Sequence, residues 1–249
     1  MNKNKKDIIF FCPRIDDGGI EKTLINYLNF FSKQNKVSLI TNTFNKDQLK
    51  LIDKKVNIIN LKIKTLINFR LINNFLVCLY LLRVINKNTV IFSLQDHFFL
   101  LLFKFLGLKK KLIIRTPTAI ANKKNTSESS YLEKMHYLKK IIIKFYKYSD
   151  LVITFSEDNK KYLKSTLNVK NVSVIYNYFP KHNGKKKIKK KYNIFFIGRL
   201  SKDKDPIFFM QNLIKLFKLK SFTVNIVGRG ECINQLKNIA QPYKKNIKF

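Results

Sequence analysis

Short, continuous apolar runs alternate along this chain with longer stretches whose apolar positions recur every three or four residues. The first kind, rich in β-branched residues, reads as strands buried on both faces of a parallel sheet. The second reads as helices with one buried stripe. Strands are expected at 7–12, 36–41, 56–60, 89–93, 111–115, 150–154 and 172–176. Helices are expected at 20–33, 67–86, 98–106, 131–148 and 157–167. Two helix starts carry their own signals. Ser129-Ser130 stands before the fourth helix with Glu133 close behind, and Ser156 stands where an N-cap would precede Glu157. The strand–helix rhythm predicts a doubly wound α/β domain over residues 1–179. Residues 180–191, Pro180-Lys-His-Asn-Gly-Lys-Lys-Lys-Ile-Lys-Lys-Lys191, are polar and charged and read as a basic linker. Over 192–249 the rhythm resumes, with strands at 192–197, 222–227 and 246–249 and helices at 206–217 and 231–240. There is no internal repeat.

Several strand ends carry residues suited to binding. The stretch Phe196-Ile-Gly-Arg-Leu-Ser-Lys-Asp-Lys204 reads as strand, tight turn, polar loop and helix start. Gly198 allows close approach of the backbone to a ligand, and a helix start offers free N–H groups. Arg199 and Lys204 add two positive charges at the same rim, an arrangement that suits a diphosphate. Gly228-Arg229-Gly230 ends the next strand. Gly228 and Gly230 either abut the base or ribose of a nucleotide or form an ordinary strand–helix turn. Gly18-Gly19 follows the first strand and Asp16-Asp17. It either faces a phosphate or an acceptor, or simply turns the chain. The G-x-G-x-x-G fingerprint is absent, which disfavours dinucleotide binding. His97 and Arg115-Thr-Pro-Thr118 lie at strand ends, where ligands of α/β sheets collect. A lone histidine is also a common core residue. His136 and His182 have no ligand-like spacing. Asp203-Lys204-Asp205 spells D-x-D, a metal-chelating pattern in another setting. Here it lies inside the cationic loop without convergent oxygen ligands, so neither metal nor cofactor is expected.

Gly198-Arg199-Leu200 with Lys204 resembles the donor-phosphate loop of GT-B glycosyltransferases of the GT4 type. Gly18-Gly19-Ile20-Glu21-Lys22 is similar to that family's N-terminal glycine loop. Asp150-Leu-Val-Ile-Thr-Phe-Ser156 and Val174-Ile-Tyr-Asn177 resemble its later strand and interdomain elements. The four signals occur in order across residues 8–230. The resemblance implies a GT-B-like fold. Residues 1–179 would form a Rossmann-like acceptor-side domain, and 192–249 the first part of a Rossmann-like donor-nucleotide domain. It implies sugar transfer from a nucleotide-diphosphate sugar to a saccharide or lipid-linked acceptor, in the setting of polysaccharide or lipopolysaccharide assembly. Arg199, Lys204 and Gly198 would hold the diphosphate, and Gly228 and Gly230 would face the nucleotide. Gly18, Gly19 and Arg115 would line the acceptor side, with His97 a catalytic candidate there. Family members carry a spaced pair of glutamates further on, whereas residues 200–249 hold a single glutamate, Glu231. A C-terminally truncated relative is therefore expected, lacking roughly another hundred residues of domain. An inactive relative or split subunit that acts as a binding protein is the alternative.

Charge changes this picture in one respect. Fifty Lys and Arg stand against 15 Asp and Glu, for a formal net charge of +35. Such a field attracts anions, among them nucleotide sugars, acidic lipid headgroups and nucleic acid. Lys, Asn, Ile and Phe also share A/T-rich codons, so drift in composition offers a bland source of the excess. No RNP, KH, helix-turn-helix or zinc signature is present, so no specific nucleic acid is expected. The apolar runs 75–85 and 98–108 are interrupted by Arg83 and Lys104 and are shorter than a membrane span. They read as core helices that can also dock on an anionic membrane surface. Cys12, Cys78 and Cys232 form neither a disulfide framework nor a metal pattern. Reduced, buried thiols and a cytoplasmic location, peripheral on the inner face of the membrane, follow as expectations.

Overall fold

A computed structural model describes residues 6–15, 18–44, 46–63, 70–116, 141–178, 193–217 and 222–249. The chain divides into two compact units, Met1–Pro180 and Lys181–Phe249. The basic segment 180–191, most of the expected helix 131–148, Asp16-Asp17 and Pro117-Thr118 lie outside the described residues.

Among the described residues, unit 1 has nine strands. They are β1 Asp7–Phe11, β2 Arg14–Ile15, β3 Lys36–Thr41, β4 Thr43–Phe44, β5 Asn57–Asn60, β6 Thr89–Ser93, β7 Lys111–Arg115, β8 Leu151–Thr154 and β9 Val172–Val174. Helices with described bounds are α1 Gly19–Phe31, α2 Lys46–Leu49, α3 Arg70–Val84, α4 Phe98–Phe105 and α5 Glu157–Ser165. Seven strands form one parallel sheet in the order β5-β3-β1-β6-β7-β8-β9. The chain starts in the middle, builds outward to β5, then returns to the other side of β1 with β6. The carboxyl ends of β1 and β6 therefore flank a topological switch point, the place where open α/β sheets bind ligands.

The unbroken apolar runs are explained by burial on both faces. Ile8, Phe10 and Cys12 pack with Leu24, Ile25 and Leu28 of α1. Ile9 and Phe11, pointing the other way, pack with Val77, Cys78 and Leu81 of α3 and with Leu100 and Leu101 of α4. The N-cap predicted at Ser156 is present, its hydroxyl accepting from the Asn159 N–H at 3.2 Å. Residues 145–148 form a 3-10 turn where the sequence predicts the end of a helix. β2 and β4 are unexpected. They pair past Pro13, whose carbonyl accepts from the N–H groups of Asn42 and Thr43.

Unit 2 contains β10 Asn193–Ile197, α6 Pro206–Phe217, β11 Thr223–Val227, α7 Ile233–Ala240 and β12 Ile247–Lys248. The three strands are parallel, with β11 in the centre. One face of this sheet packs Val224 and Ile226 against Met210, Leu213 and Leu236. On the other face Phe195, Ile197 and Val227 are exposed, Ile197 at 76%. No described helix is long and apolar enough to cross a membrane.

Candidate functional site

The carboxyl edge of unit 1 is tied together by side chains from both sides of the switch point. Gln95, just past β6, donates its Nε2 to the Cys12 sulfur at 3.2 Å and to the Arg14 carbonyl. Cys12 is fully buried, and desolvation pushes its thiol up to about 12. It is a packed thiol and not a nucleophile. Asp96 follows with φ of 54°. Asp tolerates this left-handed region better than most residues, and such strained positions cluster at functional edges.

His97 stands at the N-cap of α4 and is buried. Its Nε2 lies 2.7 Å from the hydroxyl of Tyr146, while Nδ1 has no hydrogen-bond partner. A buried orphan acceptor is tolerated better than an orphan N–H. The Nε2–H tautomer, donating to Tyr146, therefore fits best. Burial lowers the His97 pKa to about 4, with Asp96 opposing that shift, and burial also pushes Tyr146 upward. The imidazole is neutral at physiological pH and sits in the interior, tied to a residue that the sequence reading missed. Only long-range pairing brings Tyr146 to it.

Gly18 caps α1 without a side-chain bond. A Cβ there would stand 2.6 Å from Oε2 of buried Glu21, whereas one at Gly19 would meet nothing within 4 Å. The contact is with the far end of a flexible side chain, which can shift, so Gly18 is favoured there and not required.

Arg115 ends β7 with its guanidinium buried. Nη1 donates to the Ile175 carbonyl at 3.2 Å and Nη2 to Asn177 Oδ1 at 2.5 Å, and the group lies 5.5 Å from the Tyr27 ring. Those contacts tether the segment that leaves β9 to the end of β7 and to α1. Charged hydrogen bonds of this kind are worth about 1.5–3 kcal/mol each. Arg115→Ala is expected to lower stability by about 2 kcal/mol. It should also raise hydrogen exchange at residues 175–178, while exchange in β1 and β3 changes only with global stability.

The carboxyl edge of unit 2 is a zipper of two loops. The Gly198 N–H donates to the Val227 carbonyl at 3.0 Å, Leu200 N–H to the Arg229 carbonyl at 2.9 Å, and Cys232 N–H to the Leu200 carbonyl at 2.9 Å. The Glu231 carboxylate accepts from the Lys202 N–H at 3.1 Å. These contacts occupy Arg229, Glu231 and Cys232, which explains why α7 starts at Ile233 and not at Glu231. The glycines serve this zipper. A Cβ on Gly228 would lie 1.8 Å from the Gly198 carbonyl oxygen, and one on Gly230 would lie 2.4 Å from the Leu200 oxygen. Gly198 differs, since its nearest neighbour would be 4.0 Å away. Arg199 and Lys204 are exposed on this rim. Lys204 ends a 3-10 turn, Lys202–Lys204, and Asp205, at φ 47°, turns the chain into α6. Its Oδ1 accepts from the Phe208 N–H at 3.3 Å. Among the described residues, no group of three or more His, Cys, Asp or Glu is placed to hold a metal.

No protein-family profile matches the sequence. No curated protein matches it either. Solved structures do. A variant of S. aureus TarM in complex with fondaparinux, alpha-GlcNAc-glycerol and UDP superposes with a TM-score of 0.70 at 12% identity, over 97% of this chain and 76% of that one. Anabaena HepE in complex with UDP-glucose gives 0.66 at 15% identity, over 98% and 68%. WaaG, a glycosyltransferase involved in lipopolysaccharide biosynthesis, gives 0.61 at 12% identity, over 97% and 69%. At such low identity the likeness is one of fold, and with the parallel seven-stranded sheet it establishes that this chain has the GT-B-like α/β architecture of those structures.

Proposed function

We propose that the protein is a glycosyltransferase of the GT4 type that uses a nucleotide-diphosphate sugar as donor and a saccharide or lipid-linked molecule as acceptor. The observation that carries this reading is the zippered edge of unit 2. There the Gly198 turn, the Arg199 and Lys204 side chains and the start of α6 share one rim. In the transfer, the bond from the anomeric carbon to the diphosphate breaks and a bond to the acceptor oxygen forms. The acceptor hydroxyl releases its proton, and the leaving diphosphate gains negative charge. Fixed cations beside it stabilise the transition state more than the ground state. Arg199 can grip two oxygens at once and Lys204 supplies a point charge. The UDP and UDP-glucose bound in the TarM and HepE structures support this class of donor.

Titration of the full chain with UDP and UDP-glucose, followed by assay of sugar transfer to saccharide acceptors, tests the reading. Arg199→Ala and Lys204→Ala are each expected to weaken UDP binding roughly ten- to a hundredfold, the worth of one charge-assisted hydrogen bond. Lys244→Ala, at another exposed lysine of unit 2, should change it little. Added salt should screen the scattered lysines first and leave more of the loop's contribution. Equal losses in all three variants, with salt abolishing every trace of binding, would show only the pull of a +35 chain.

A further inference from the structure

We propose that Glu231 is a positioning residue for the donor diphosphate, holding the Lys202–Lys204 turn in place from the neighbouring loop. The assignment rests on the transferase reading of the same rim and gives a role to a residue that reading leaves unused. The backbone zipper of unit 2 runs as far as Leu200, whose N–H and carbonyl are taken by Arg229 and Cys232. Past Leu200 a side chain makes the bridge. Oε1 of Glu231 accepts from the Lys202 N–H at 3.1 Å, across 29 positions of sequence. The far end of the turn is fixed separately. Asp205 stands at φ 47°, its N–H donates to the Lys202 carbonyl at 3.1 Å, and its Oδ1 accepts from the Phe208 N–H at 3.3 Å. Lys204 lies between these anchors, with its own N–H on the Ser201 carbonyl at 2.9 Å. Two clamps therefore set the Lys204 backbone, and Glu231 is the one supplied from the other loop.

Glu231 is the sole glutamate of residues 200–249. On charge alone a carboxylate at the rim of a diphosphate site is unfavourable, because like charges repel. The bond it makes accounts for its presence. Glu231 and Lys202 are both exposed, so water competes for the Lys202 N–H. A charged acceptor holds an N–H there more strongly than a neutral one does. Glu231 thus has two opposed effects on an anionic ligand. It orders the turn that carries a cation, and it repels the charge that the cation binds. Substitutions separate the two.

UDP titration of the full chain is the test. Glu231→Ala removes clamp and charge together and is expected to weaken UDP binding about fivefold. Glu231→Gln keeps an oxygen for the Lys202 N–H and removes the charge, so it should bind UDP at least as tightly as the parent. Lys202→Pro removes the donor instead. Lys202 opens its turn after Ser201, which is extended at φ −116° and ψ 156°. Proline is tolerated at the first position of a helical turn, and that backbone suits the residue before it. Lys202→Pro should lose about fivefold relative to Lys202→Ala, which keeps the N–H. Amide exchange should rise at residues 203–204 in Glu231→Ala and Lys202→Pro, and stay unchanged in β10 and β11. A role in folding alone would add its loss in any background. A positioning role should not, so with Lys204→Ala already present Glu231→Ala should cost less than about twofold more. Parent-like UDP affinity in Glu231→Ala would overturn the assignment. So would tighter binding in both Glu231 variants, which leaves only repulsion, or an undiminished loss in the Lys204→Ala background. A parent chain that does not bind UDP would sink the donor reading itself and this assignment with it, so the two failures are distinct.

Discussion

Replacing Gly228 with alanine is expected to unfold unit 2 while unit 1 keeps its structure. The added Cβ would lie 1.8 Å from the Gly198 carbonyl oxygen and 3.0 Å from its carbon. Both are backbone atoms held in the zipper, so no side-chain rotation relieves the clash. The loops must part, and the hydrogen bonds from Gly198, Leu200 and Cys232 go with them. Overpacking costs about 1–3 kcal/mol and each lost backbone bond about 1 kcal/mol more. A total of about 4–6 kcal/mol is a large share of what a small unit has to lose. Gly198→Ala is the control, since its Cβ would touch nothing closer than 4.0 Å. Hydrogen exchange read by segment is the measurement. Loss of protection in β10 and β11 with β1, β3 and β6 unchanged is the expected pattern. If both alanine variants behave as the parent does, the zipper does not hold unit 2 together.

Stability is expected to fall steeply as pH drops from about 6.5 to about 4, and His97 carries the slope. Its pKa is lowered in the folded state, chiefly by burial, from 6.5 to about 4. The unfolded chain therefore binds a proton over this window that the native chain refuses. With more protons bound in the unfolded state, stability rises with pH. The contribution is fully present above the unfolded value and lost as pH falls through the window. One pKa unit is 1.36 kcal/mol, so the complete loss is on the order of 3 kcal/mol, with about 2 kcal/mol gone by pH 5. Urea unfolding at several pH values measures it. His97→Gln can keep a bond to Tyr146 but cannot titrate. It should flatten the slope between pH 6.5 and 5 whatever it does to stability at neutral pH. An unchanged slope in that variant would place the acid sensitivity elsewhere.

The Arg115 tether, the Gln95–Cys12 contact and the His97–Tyr146 pair share a property that explains why none of these pairings was legible in the sequence. Each joins residues distant along the chain. His97 and Tyr146 are 49 positions apart, Arg115 and Asn177 are 62, and Gln95 and Cys12 are 83. Sequence patterns report what a residue's immediate neighbours do, and these partners become neighbours only through the order of strands in the sheet.

What the sequence by itself determined is local. Strand positions β3, β6 and β7 were readable to the residue, because continuous β-branched runs are what a parallel strand covered on both faces requires. The two glycine turns of unit 2 were readable for the same local reason. Which glycine does what was decided only in three dimensions. Gly228 and Gly230 are forced by a facing backbone, while Gly198 leaves room beside Arg199. Arg115 and His97 were legible as chemistry-bearing residues at strand ends. Only the tertiary structure shows that one is a buried tether and the other a neutral, buried partner of a tyrosine. Side-chain type is encoded one position at a time. Burial, pairing and protonation depend on which elements the fold brings against each position, and strand order alone sets that.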